Sequence, residues 1–162
     1  LIITARENRA TRDRCIPLGC TQTDASTRIG IGSYSDVYTA QEEDRQQFIL
    51  GDTRSLEELI VDLAGKGIIT SFCTAGYRCG RTGGCIMDML KTGKEGKFCK
   101  INAILTFREW LDDFASDESI RICAPVIEKE MNEVRGMVKP EFYTSFKSYY
   151  DRICSGERDL YF

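Results

Sequence analysis

The stretch SFCTAGYRCGRTGGC, residues 71–85, holds Cys73, Cys79 and Cys85, each six residues from the next, and Cys99 follows in FCK. Thiolates bind iron or zinc strongly when a fold brings three or four of them together, usually with one Cys-x-x-Cys pair. The chain has no such pair. Spacing alone therefore leaves two readings open: unligated thiols in a glycine-rich loop, or a metal site completed by the fold.

Arg28, in STRIG, is the second candidate. A guanidinium is a natural clamp for a carboxylate or phosphate. In parallel α/β folds the residues just past strand C-termini face the ligand. The alternative is an ordinary arginine on a surface loop. The glycines of GIG and GRTGG complete neither a dinucleotide nor a phosphate-loop motif, so they are expected to serve as loop residues.

Composition narrows the chemistry. The chain contains no histidine, which excludes Cys/His zinc fingers and histidine acid–base catalysis. Its eight cysteines accompany long helical patterns rather than a small loop-rich scaffold, so reduced or metal-bound thiols are expected over disulfides. A formal charge of −3 offers no basic footprint for nucleic acid. No apolar run approaches the ~20 residues of a membrane span, and no secretory signal pattern opens the chain. With 162 residues, of which 42% are hydrophobic and 29% charged, a real core is available.

The elements that must position these residues follow from periodicity. LIITA, residues 1–5, reads as a parallel strand buried on both faces, and as the middle of something longer than the chain given. NRATRDRCIPLG is a short helix ended by Pro17 and Gly19, and CTQTDA, residues 20–25, is a second strand. A strand–helix–strand unit of this length implies a parallel crossover. STRIGIGSYSDVY is a loop with Gly30 and Gly32 as its flexible points.

In RSLEELIVDLAGKG, Ser55 and Glu58 form a capping box, and Leu56, Leu59, Ile60 and Leu63 an apolar face. IITSF, residues 68–72, is expected to be a strand. Three helices follow, over about 103–115, 118–135 and 140–154. The second carries the stripe Ile120, Cys123, Ile127, Met131 and Val134. The third opens on Pro140 and buries Phe142, Phe146, Tyr149 and Ile153. The fold class is thus α/β over residues 1–70 and mainly helical over 71–162.

Six stretches, in order, resemble the C-terminal part of a known family: TAREN with RD, DASTRIGIGSY, QFILGDTRSLEELI, SFCTAGYRCGRTG, FCKINAILTFREWLDDFAS and GERDLYF. The family is the radical-SAM tyrosine lyases that mature [FeFe]-hydrogenases. The resemblance implies the last strand–helix units of a (β/α)8 barrel, the biotin/thiamin synthesis-associated region, followed by a helical extension. It implies S-adenosylmethionine and a first [4Fe–4S] cluster only in a longer enzyme, because the Cys-x-x-x-Cys-x-x-Cys that holds that cluster is not in this chain.

An auxiliary iron–sulfur cluster sits in the family on a CxxC-x22-C motif. Cys73 matches its first position and Cys99 its third, while Gly76 stands where the second cysteine is expected. Cys79 or Cys85 is the candidate substitute ligand. The implied reaction cleaves tyrosine to p-cresol and dehydroglycine, and the glycine fragment becomes CO and cyanide for the H-cluster. Arg28 and Thr27 match the Ser-Arg of the family's AGSRTG stretch and would hold the substrate, with Ser26 in place of glycine and Ile29 in place of threonine.

The implied partners are tyrosine and other hydrogenase-maturation proteins. The implied location is the cytoplasm of an anaerobic cell, or a hydrogenosome or mitochondrion. Two alternatives stand beside this reading. One is a truncated, non-catalytic iron–sulfur or scaffold module. The other is the thiamine-biosynthesis tyrosine lyase, against which the extension after residue 70 argues.

Overall fold

The computed structural model describes residues 1–35, 41, 43–72, 88, 91 and 95–162. By internal contacts the chain divides into two compact units, Leu1–Leu59 and Ile60–Phe162.

In the first unit, β1 (Ile2–Ile3) runs parallel to β2 (Gln22–Thr23), with Ile2 opposite Gln22 and Ile3 opposite Thr23. Helix α1 (Arg9–Cys15) makes the crossover. The Asn8 side chain accepts from the Thr11 N–H at its start, which satisfies one of the free amides there. Past its end, Gly19 turns the chain at φ +108°, a conformation open to glycine. The expected parallel unit is present, with two corrections. Both strands are two residues long, and β1 is not doubly buried: Ile3 is buried while Leu1 and Ile2 are exposed.

The segment 50–52 closes over the strand end. The amides of Gly51 and Asp52 both donate to the Ala5 carbonyl, at 3.0 and 3.1 Å. A Cβ on Gly51 would lie 2.5 Å from the Asn8 nitrogen, so only glycine lets the two backbones meet here.

Helix α2 (Leu56–Gly65) starts with the expected capping box. The Ser55 N–H donates to the Glu58 carboxylate at 2.7 Å, and the Glu58 N–H donates to the Ser55 hydroxyl at 3.2 Å. Its buried face is Leu59, Ile60, Leu63 and Ala64. Leu56, expected inside, is exposed because it is the first helical residue and lies a full turn ahead of that face. Residues 68–72, expected as a strand, have no regular structure, since no described strand hydrogen-bonds with them.

The second unit is built from α3 (Glu95–Phe114), α4 (Asp117–Met137) and α5 (Pro140–Cys154). Helix α3 begins about two turns before the expected residue 103. Ile101, Ile104, Leu105, Phe107 and Leu111 of α3 meet Cys123, Ile127 and Val134 of α4 and Phe146 and Ile153 of α5 in one core. Ile120, Met131, Phe142 and Tyr149 pack half-buried at its edge. Pro140 stands in the first turn of α5, where its missing N–H costs nothing.

The closing segment is strapped to this unit. Asn102 pairs both its amide oxygen and nitrogen with the Phe162 backbone, at 2.8 and 2.9 Å. The Phe162 ring stacks on Tyr149 with centroids 4.6 Å apart. Glu109 has its carboxyl pushed up by burial, against the pull of the Leu160 and Asp159 amides.

Candidate functional site

Immediately after β2 the chain turns sharply through Asp24–Arg28, and this turn is braced from four directions. The Ala5 N–H donates to one Asp24 carboxylate oxygen at 2.7 Å. The Arg12 guanidinium donates to the Asp24 carbonyl and the Thr23 hydroxyl, with a longer 3.4 Å contact to the Asp24 carboxylate. The Ser26 N–H donates to the Arg54 carbonyl at 2.9 Å. The Ser26 hydroxyl accepts from the Leu56 N–H at 3.0 Å, thereby capping a free amide in the first turn of α2.

Ser26 itself sits at φ +55°. A left-handed conformation is unfavourable for a residue with a Cβ by roughly 1 kcal/mol, which accounts for glycine being the expected residue at this position. The serine offsets that strain with its hydroxyl cap on α2.

Behind the turn lies a buried ionic web. Arg12 is 1% exposed, and its guanidinium donates to Asp52 at 2.6 Å. Arg54 clasps the same carboxylate through Nε, 3.0 Å from each oxygen, and through its own N–H at 3.1 Å. It also reaches Asp13 at 3.3 Å. Burial would raise the Asp52 carboxyl, but the Arg54 hydrogen bonds and the Arg12 and Arg54 charges outweigh it and hold the pKa at about 2. The Arg12 Nε has no hydrogen-bond partner among the described residues. Nothing in the sequence singled out Arg12, Asp52 or Arg54 as partners, although each lies in or beside a stretch that carries the family resemblance.

Thr27 and Arg28 face a cleft of about 130 Å³ completed by Ser33, Gln46, Leu50 and Thr53. Thr27 donates its hydroxyl to the second Asp24 carboxylate oxygen at 2.6 Å. Arg28 is exposed and donates Nη1 to the Ser33 carbonyl at 2.9 Å, while its N–H donates to the Tyr34 hydroxyl at 3.2 Å. That anchorage leaves the Nε–Nη2 edge of Arg28 without a partner among the described residues. A guanidinium edge of this kind matches a carboxylate.

A larger, shallow groove of about 530 Å³ runs along the outer side of α5. Its charged groups are already paired, Lys147 with Asp151 and Arg152 with Glu157. It therefore offers no unpaired charge to a ligand among the described residues.

Cys99 lies exposed in the second turn of α3, one turn before Asn102 and the strapped segment. Cys73, Cys79, Cys85 and Gly76 lie outside the described residues. Among the described residues no three Cys, Asp or Glu side chains gather as a metal-binding group. Cys15 and Cys20 are half-buried, Cys123 lies in the core, and Cys154 is exposed. Among the described residues no helix is long and apolar enough to cross a membrane.

No protein-family model matches the chain, and no curated protein matches it. Among solved structures it is similar to HydG, a maturase of the [FeFe]-hydrogenase, at a TM-score of 0.84 and 35% sequence identity. The match covers 99% of this chain and 33% of that one, so the chain spans about a third of the length of this relative.

Proposed function

We propose, proceeding from the relationship of this chain to the [FeFe]-hydrogenase maturase HydG and its radical-SAM family, that it is the C-terminal part of a tyrosine lyase serving H-cluster assembly. Residues 1–70 then supply the end of the barrel and residues 71–162 the helical extension. The observation that carries this reading is the 35% identity sustained over 99% of the chain.

In this reading the cleft beside β2 holds the head group of the amino-acid substrate. Arg28, fixed on the Ser33 carbonyl, offers its remaining edge to the tyrosine carboxylate. Asp52, kept ionised by Arg54 and Arg12, locks the segment after Leu50 that forms the far wall.

The auxiliary cluster belongs to the extension. Cys99 fits a ligand role: its thiol is exposed, and it matches the third cysteine of the family's motif. Cys73 would join it, with Cys79 or Cys85 supplying the thiolate that Gly76 lacks. When bound, the cluster supplies the iron on which the CO and cyanide ligands are gathered. The chain's own contribution is to hold Cys99 on a helix whose next turn is clamped by Asn102 to Phe162.

Titration of the chain with L-tyrosine tests the substrate reading. Arg28→Lys should weaken binding about tenfold, because an ammonium cannot make the two-point contact. Equal affinity of the two proteins would refute it. For the cluster, anaerobic reconstitution with iron and sulfide should load more iron on Gly76→Cys than on the unchanged chain, and least on Cys99→Ser. Equal iron content and equal paramagnetic resonance signals in all three would remove Cys99 from the site.

A further inference from the structure

Cys99 is the only exposed side chain from Phe98 to Leu105, and the residues on either side of it are anchored. Phe98 meets the Phe142 ring of α5 edge-on, with centroids 5.9 Å apart. Lys100 pairs its ammonium with Glu130 and Glu133 of α4, each at 2.5 Å. Asn102 is buried; its Nδ2 donates to the Phe162 carbonyl at 2.9 Å, and its oxygen accepts from the Phe162 N–H at 2.8 Å. A side-chain amide that donates and accepts at once holds a peptide unit in a single register.

Two of these anchors converge on one residue. The Phe162 ring centroid lies 5.1 Å from that of Phe142 and 4.6 Å from that of Tyr149. Phe162 therefore braces Phe98 through Phe142, and Asn102 directly through its own backbone. With 3.6 residues per turn, Phe98 and Asn102 share one face of α3, and Cys99 stands on the flank beside it. The first turns of a helix fray, because their amides lack partners within the helix. Here those turns are held from outside, by a residue sixty positions later in the chain.

The same closing segment has a second, separate anchor. Arg158 pairs with Asp113 at 2.6 Å, where both side chains are partly open to solvent. Along α3 that pair lies about three turns from Asn102. One strap is thus fastened at two places, only one of which is next to the thiol.

We infer that Phe162 is the positioning residue of the cluster ligand Cys99, acting through Asn102 and Phe142 to set that thiol in place before iron arrives. The inference rests on the cluster reading of Cys99 and deepens it by assigning what holds the ligand. A ligand ordered by folding loses little freedom when metal binds, whereas a frayed one must be ordered by the metal itself. The demand is greater with Gly76 in the motif, because fewer thiolates share the work of holding the cluster.

The 162-residue chain is loaded anaerobically with ferrous iron and sulfide. Two quantities are then read: the electron paramagnetic resonance of the reduced cluster, and the rate of iron loss to a ferrous chelator. Cys99→Ser first identifies the signal that depends on Cys99. Phe162→Leu keeps the backbone clamp and removes the ring, while Asn102→Leu keeps the ring and removes both clamp hydrogen bonds. Each should speed iron loss about tenfold, the usual effect of removing a group that orients a metal ligand, and should split the one resonance into several species. In metal-free Phe162→Leu, the amides of residues 99–102 should exchange about tenfold faster. Phe162→Tyr restores the ring and should restore all three readouts. Arg158→Gln frees the far anchor alone and should leave them unchanged.

A strap that served stability alone would make Arg158→Gln act as strongly as Phe162→Leu, and that result would overturn the inference. Unaltered resonance and iron retention in both Phe162→Leu and Asn102→Leu, beside a Cys99-dependent signal in the unchanged chain, would overturn this inference and leave the cluster reading standing. Absence of any Cys99-dependent signal in the unchanged chain would overturn both.

Discussion

The two units of this chain solve the same problem with opposite materials. Among the described residues of Leu1–Leu59 the largest fully buried side chain is an arginine, and the buried apolar residues are few: Ile3, Ala5, Leu50 and Leu59. Arg12, Asp52 and Arg54 occupy the place a hydrophobic cluster would otherwise take. In Ile60–Phe162 the interior is aliphatic and aromatic, with Phe107, Phe146, Ile104 and Ile153 fully buried. An ionic interior holds loops in one arrangement, because each charge accepts only partners at set distances and angles. An apolar interior gives more stability per residue but less direction. The unit that carries the 24–28 turn and its cleft is the one built with direction.

This contrast can be broken most sharply by exchanging the kind of damage. Arg12→Leu removes the buried donor shared by Asp52, Thr23 and the Asp24 carbonyl, leaving Asp52 to Arg54 alone, and should cost the first unit about 3–5 kcal/mol. Phe146→Ala should cost the second unit a similar 3–5 kcal/mol through the cavity it leaves. Amide hydrogen exchange should report each loss in its own unit. Equal acceleration in both units from either variant would mean that the two interiors unfold as one.

Acid provides the next, smaller separation. The Asp52 carboxyl is lowered from 3.8 to about 2 in the folded chain, so it contributes stability in full above pH ~5. That contribution, about 2 kcal/mol, is lost as pH falls through the folded value. Exchange protection in residues 1–59 should therefore fall between pH 5 and 2, and Asp52→Asn should flatten that dependence. A profile unchanged by Asp52→Asn would locate the acid sensitivity elsewhere.

Two local changes refine the picture. Ser55→Ala removes one half of the capping box and should cost about 1 kcal/mol, read from the denaturant midpoint. Ser26→Gly relieves the left-handed strain but deletes the cap on Leu56, two opposing effects of roughly 1 kcal/mol each, so its net change should stay within ~0.5 kcal/mol. Ser26→Ala, which keeps the strain and loses the cap, should be the more damaging of the two. The reverse order would show that the hydroxyl contributes nothing.

Local features were the legible ones. Ser55 and Glu58 stand three residues apart and need nothing beyond their own turn to cap it, and the structure has both hydrogen bonds. The stripe through Cys123, Ile127 and Val134 and the one through Phe146 and Ile153 lie inside, because a 3.6-residue period puts them on one face whatever they meet. The strand expected over 68–72 had only composition behind it, and a strand needs a partner to complete its hydrogen bonds. Leu56 fitted the apolar period of α2 but not its burial, because periodicity says which residues share a face and not how far along the helix that face is covered.

What the sequence by itself determined is therefore everything that closes within a turn or a crossover: the caps, the helical stripes, the parallel strand–helix–strand order, and the resemblance that drew attention to Thr27, Arg28 and Cys99. What only the tertiary structure decided is how those residues are held. Arg12 and Asp52 lie forty residues apart and meet because the 50–52 segment folds back over Ala5 at a glycine too close for any side chain. The direction of the Thr27 hydrogen bond was equally out of reach. It depends on the turn bringing the Thr27 hydroxyl to 2.6 Å from the acceptor-only Asp24 carboxylate, a distance that no spacing of residues along a chain encodes.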